Sequence, residues 1–148
     1  MSDFVASYYA GAVLCFAPDL IGLQLRDEKE GILHPGKAAL FGGADEVEDG
    51  LDPFRTIRRE LGEELGLAVP LVRLHYVKEY HVDNPAHGVA EKHTFIAEVP
   101  KIELMKLRPI EGHLLLVALP CDLKTLPLTD MAKTYLADAL PVILSLNR

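Results

Sequence analysis

The chain is 148 residues long, with 49% hydrophobic and 25% charged residues and a formal net charge of −7. This composition excludes a disordered chain, and the length favours one domain over 1–148 with a core of its own. The acidity argues against sequence-independent binding to long nucleic acid, which needs a basic surface. A nucleotide is not excluded, because a metal and a few cations can meet its phosphates locally.

Residues 1–7 read as a loose end, and 8–17 (YYAGAVLCFA) as a strand covered on both faces. That run is too short to span a bilayer and has no basic leader, so no membrane contact is expected and the cytoplasm is the default. Pro18-Asp19 turns the chain into a second strand over 21–26. Arg26 ends that strand, where it can meet a substrate phosphate or base; a lone Arg there is more often a surface charge. A polar loop over 27–37 leads to a short strand at 38–41. Gly42-Gly43 then reads as a tight turn that lets backbone approach a ligand closely. Cys15 and Cys121 sit in apolar contexts without CxxC spacing, which predicts two buried thiols in a reducing compartment rather than a disulfide.

Residues 53–67 (PFRTIRRELGEELGL) carry the firmest pattern. Asp52 can cap a helix, Pro53 suits its first position, and Gly66 suits a left-handed C-terminal cap. Phe54, Ile57, Leu61 and Leu65 form an apolar stripe, while Glu60, Glu63 and Glu64 share another flank. Like charges one turn apart cost about 0.2–0.5 kcal/mol per pair. Two of the three also face the negative end of the helix dipole. Arg59 can pair with Glu63 and recover part of that cost. A divalent cation would reverse its sign, since Mg²⁺ takes oxygen ligands; the plain alternative is a solvated acidic face.

Strands are expected over 71–82 and 92–99, flanking a turn-rich segment (DNPAHGVAE), and over 113–119. Residues 129–146 have helical spacing, with Pro141 expected to kink or restart the helix. His75, His81, His87 and His93 recur every six residues. Even spacing puts residues on one face of a continuous strand, but the DNPAHG turn interrupts it. Zinc sites also use tighter pairs, so the four histidines are not read as a zinc site.

The run Arg59-Glu60-Leu61-Gly62-Glu63-Glu64-Leu65-Gly66-Leu67 resembles the second half of the Nudix box, at every position that half specifies. The first half departs from the pattern. Its Glu falls on Leu51, and Gly43 lies two residues too far upstream, as if Ala44-Asp45 were inserted. The resemblance implies an α/β/α sandwich with a mixed central sheet, and hydrolysis of a pyrophosphate bond in a small nucleotide derivative with Mg²⁺ or Mn²⁺. It also implies Glu60, Glu63 and Glu64 as metal ligands, with Glu63 central to catalysis. Arg59 would orient the glutamates, and Gly42-Gly43 would shape the loop beside the pyrophosphate.

The attacking water needs a general base from outside the helix. Glu111, in a Pro-Ile-Glu-Gly turn, is the first choice, ahead of Glu98 and then Glu79. The competing reading is a Nudix-fold module that binds a nucleotide or protein without hydrolysis, with Leu51 as its symptom. Substrate identity is open, as is assembly, with a homodimer compatible.

Overall fold

The computed structural model of the protein describes residues 7–16, 20–26, 36–66, 72–84, 88–107 and 113–146. The expected turn at 18–19, most of the 27–37 loop, His87 and Glu111 lie outside the described residues, as does the side chain of Arg26. In chain order the strands and helices are β1 (Tyr9–Phe16), β2 (Leu20–Arg26), β3 (Ala38–Ala39), β4 (Phe41–Ala44), α1 (Pro53–Leu65), β5 (Arg73–Asn84), β6 (Gly88–Val99), β7 (His113–Ala118) and α2 (Asp130–Leu146).

The described strands form one mixed sheet in the order β3-β2-β1-β6-β5, with β4 on β1 and β7 on β2. β1 is its axis. It runs parallel to β6 along its whole length, antiparallel to β2 at Leu14, Cys15 and Phe16, and antiparallel to β4 from Tyr9 to Ala12. β2 leaves β1 and pairs with β3 at Gln24 and Leu25. The β3–β4 segment thus fills a fork between β1 and β2.

Side chains of β1 alternate between two cores, which is why its sequence is apolar throughout. Ala10, Ala12, Leu14 and Phe16 pack with Ile57, Leu61 and Leu65 of α1. Val13 and Cys15 pack with Tyr135, Ala139 and Ile143 of α2. The sheet therefore lies between two helices, as the sequence predicts. No helix among the described residues is long and apolar enough to cross a membrane.

α1 begins where Asp52 accepts a hydrogen bond from the Phe54 N–H and ends at Gly66 with φ +69°. Its buried face differs from expectation at three positions. Phe54 is 40% exposed and rests its ring on Phe95 and Tyr76, while Thr56 and Glu64 are buried. Gly42 and Gly43 lie within β4 rather than in a turn, because the strand must continue to fill the fork. β5 and β6 run on to Asn84 and Gly88, shortening the expected loop. α2 continues through Pro141, held by Ile143 buried against the sheet. Cys15 is buried as expected; Cys121 is exposed, since its 3-10 turn (Pro120–Thr125) lies at the surface.

Candidate active site

The glycine pair decides how closely α1 approaches the sheet. Gly42 has φ +142°, and a Cβ there would stand 1.9 Å from the Ala10 carbonyl oxygen. A Cβ on Gly43 would stand 2.5 Å from Glu60 Oε1. The missing side chains thus admit β1 on one side and a carboxylate on the other. The Gly42 N–H donates to Glu64 Oε1 at 3.2 Å, and Gln24 Nε2 lies 3.5 Å from Glu64 Oε2.

Glu64 is only 5% exposed, and its carboxyl is pushed up to about 8. Burial is the main cause, followed by the hydrogen bond to Glu60 and its charge, while the Gly42 N–H works the other way. Glu64 therefore holds its proton more tightly than an ordinary carboxylate does. Glu63 stands apart, 56% exposed, with Arg59 Nη1 at 3.2 and 3.3 Å from its two oxygens.

Arg59 ties these groups together. Its Nε and Nη2 meet Asp49 Oδ1 and Oδ2 at 3.1 and 3.0 Å, its Nη2 donates to the Ala44 carbonyl at 3.0 Å, and its Nη1 donates to Glu60 at 3.2 Å. Asp49 is 3% exposed. Arg59 beside it holds its carboxyl below the usual aspartate range, helped by the Glu46 N–H and the Thr56 hydroxyl and opposed by burial. Thr56 donates to Asp49 at 2.9 Å, which leaves the Tyr8 hydroxyl to donate to Thr56 at 2.7 Å. The loop before the helix is thus bound to it by a buried chain of charge and hydroxyl.

Asp49 is the residue that sequence reasoning missed. The motif leaves Leu51 where a carboxylate belongs, and Leu51 is 69% exposed with φ +61°. The 3-10 turn at Val47–Asp49 carries a carboxylate into the structure two residues earlier. A two-residue shift hid it from the pattern.

Gly42 and Gly43 also wall a pocket of about 340 Å³ on the α2 face of the sheet. Tyr9, Gln24, Leu40, Lys92 and the first residues of α2 line it. Gln24 reaches both the pocket and Glu64. Neither Gln24 nor Lys92 belongs to any motif; only the strand register brings them here.

The predicted site residues divide accordingly. Arg59, Glu60, Glu63, Glu64, Gly42 and Gly43 come together. Arg26 pairs through its backbone with His113 of β7. Glu98 is a correction: it alternates with Phe95 and Ala97, so it faces α2 and bonds His75 at 2.8 Å, with the sheet between it and the helix glutamates. Glu79 faces α1 but stands over β6, opposite His93.

No protein-family model and no curated protein sequence matches the chain. Solved structures do. A Nudix hydrolase from M. smegmatis, RenU, is 21% identical with a TM-score of 0.74, covering 98% of this chain and 94% of its own. A mutT/nudix family protein from Listeria innocua is 22% identical with a TM-score of 0.73, over 94% of each chain. The NUDIX domain of Shewanella oneidensis NrtR, complexed with ADP ribose, is 16% identical with a TM-score of 0.72, over 95% of this chain and 90% of its own. The fold of this chain is that of the Nudix hydrolases.

Proposed function

We propose that the chain hydrolyses a pyrophosphate bond in a nucleoside diphosphate linked to another moiety, with Mg²⁺ or Mn²⁺ as cofactor. The observation that carries this reading is the gathering of Glu60, Glu63 and Glu64 on one flank of α1, with Glu64 buried under the Gly42 N–H and room for Glu60 only because Gly43 lacks a Cβ. A divalent cation beside them would offset both the burial of Glu64 and the mutual repulsion of the carboxylates. Three carboxylates, one of them solvent-facing, fit a hard oxygen-preferring ion.

Glu60, Glu63 and Glu64 would hold it. When bound, Mg²⁺ supplies charge neutralisation at phosphate oxygens and makes water more acidic. Arg59 keeps Glu60 and Glu63 from turning away, and Asp49 keeps Arg59 in place. The Gly42 N–H fixes the orientation of Glu64. The pocket takes the organic part of the substrate, with Lys92 as its cation. Glu111 takes the proton of the attacking water. The binding-only reading rests on the carboxylate missing at Leu51, and Asp49 weakens it by meeting Arg59 with both oxygens.

The test is formation of a nucleoside monophosphate, read by chromatography, from a panel of nucleoside diphosphate derivatives and triphosphates with Mg²⁺. ADP-ribose comes first, because a domain of the same fold is complexed with it. Activity on at least one compound is expected, and Glu111→Gln should lower the rate about 10²–10⁴-fold, as for lost general-base catalysis, with metal affinity unchanged. No cleavage of any compound, with nucleotides still bound, would establish the binding module instead.

A further inference from the structure

A second set of metal-ligating side chains stands away from α1, on the β5–β6 hairpin. Glu79 pairs directly with His93 across the two strands, and Glu91 lies two residues before His93 on the same face. His93 Nε2 is 3.8 Å from Glu79 Oε1 and 3.8 Å from Glu91 Oε2. The three ligand atoms lie within 4.8 Å of one another. Ligands of a tetrahedral zinc ion stand roughly 3.3 Å apart at its usual bond lengths of about 2.0–2.1 Å. Small rotations of two exposed glutamates close that gap.

The other ring nitrogen supplies an independent sign. His93 Nδ1 lies 2.8 Å from the Tyr76 hydroxyl, and the ring is held edge-on by Tyr8 at a centroid distance of 5.4 Å. A histidine that ligates metal through one nitrogen has its other N–H hydrogen-bonded, which fixes tautomer and orientation. Here that partner is in place, and Nε2 is the nitrogen turned to the carboxylates. Tyr76 is held above its usual range, first by burial and then by the charges of Glu79 and Glu91, so it stays a neutral phenol.

A β-bulge makes the arrangement. The register shifts between Tyr76 and Lys78, so Tyr76 opposes Phe95 while Glu79 opposes His93. Without the extra residue, positions 76 and 79 would face opposite sides of the sheet. Bulges re-aim side chains in this way.

We propose that Glu79, Glu91 and His93 form a binding site for a zinc-class divalent ion, with Tyr76 as the partner of His93 Nδ1 and solvent completing the coordination. One nitrogen and two carboxylate ligands suit Zn²⁺ better than Mg²⁺, which rarely takes imidazole. The site is separate from the helix glutamates: Ala10 of β1 pairs with His93 on one side and with Gly43 on the other, so a strand stands between them. The bound ion clamps β5 to β6.

The experiment titrates Zn²⁺ into metal-stripped full-length protein in excess Mg²⁺, read by calorimetry and by melting temperature. One equivalent is expected to bind and raise the melting temperature, equally in wild type and in Glu60→Gln/Glu64→Gln. Glu79→Gln, Glu91→Gln and His93→Gln should each lose that equivalent, and Tyr76→Phe should weaken it about 10–100-fold. The two glutamates are exposed, so their variants carry the test if His93→Gln does not fold. No equivalent bound in Mg²⁺, loss of it in the Glu60→Gln/Glu64→Gln variant, or its survival in Glu79→Gln and Glu91→Gln would each overturn the proposal.

Discussion

On one face of the sheet, β1 separates two groups of carboxylates. Those of α1 are gathered around a partly buried arginine that pairs with Asp49, Glu60 and Glu63. Those of the β5–β6 hairpin are half-exposed and have a histidine between them. The first group lies within five consecutive residues of one helix, and its geometry is fixed by Asp49 from a neighbouring loop. The second is put together by strand pairing, so its residues are scattered in sequence and its geometry is loose until something occupies it. A permanent cation therefore orders one group, while the other has only an imidazole between its carboxylates.

The largest effect should come from the first group. Glu64→Gln and Glu63→Gln are each expected to lower hydrolysis at least about 10²-fold, the loss of several kcal/mol of metal-derived stabilisation. Without metal, the melting temperature of Glu64→Gln should hold level or rise slightly, because crowding of Glu64 against Glu60 is relieved. Full activity in either variant would remove that residue from the metal site.

Next comes the arginine's anchor. Asp49→Asn leaves Arg59 without its two-pronged, buried partner, which should cost about 3 kcal/mol in urea unfolding, the low end for a broken buried pair because Glu60 and the Ala44 carbonyl remain. Glu46→Gln, at an exposed partner 3.4 Å from the same guanidinium, should cost far less, because solvent screens that pair. Equal costs would erase the contrast between fixed and loose partners. Asp49 also gives the pH dependence. Its folded value lies below the ordinary 3.8, so its stabilisation is present above that pH and is lost as pH falls through the lower, folded value. An acid unfolding limb that is as steep in Asp49→Asn as in wild type would contradict this.

The smallest effects concern Leu51. Leu51→Gly should raise stability by about 1 kcal/mol, relieving a left-handed backbone, as seen in thermal melts. Leu51→Glu should change the hydrolytic rate by less than about tenfold, since Asp49 already meets Arg59. A larger gain would mean that Asp49 does not stand in for the missing carboxylate.

What was legible in the sequence follows the same division. α1 could be read with both caps, because its information is local and repeats with the helical period. The sandwich was implied by the resemblance of 59–67 to the Nudix box, and apolar runs that match strands buried on two sides were compatible with it. Asp49 was hidden by a shift of two residues, which a fixed spacing cannot absorb. The Tyr76–Glu79–His93 arrangement was hidden by the bulge, since counting even steps along a continuous strand fails where the strand gains a residue. Glu98 looked available because sequence does not say which face a strand residue takes. Gly42-Gly43 was rightly read as a point of close approach and wrongly as a turn, because the fork they fill exists only in the assembled sheet.

The position of β1 also bears on how the chain is made. Its partner β6 follows 83 residues later, Tyr9 against Lys92. At about 5–20 residues per second of synthesis, the strand waits roughly 4–17 s with one apolar edge open. The β2 and β4 pairings can close the other edge early, but nothing nearer in sequence covers this one, and open edges recruit other chains. Nascent chains ending before residue 88 are therefore expected to sediment as aggregates and those ending after 107 far less, a difference that ribosome-release experiments on the two lengths would detect or deny.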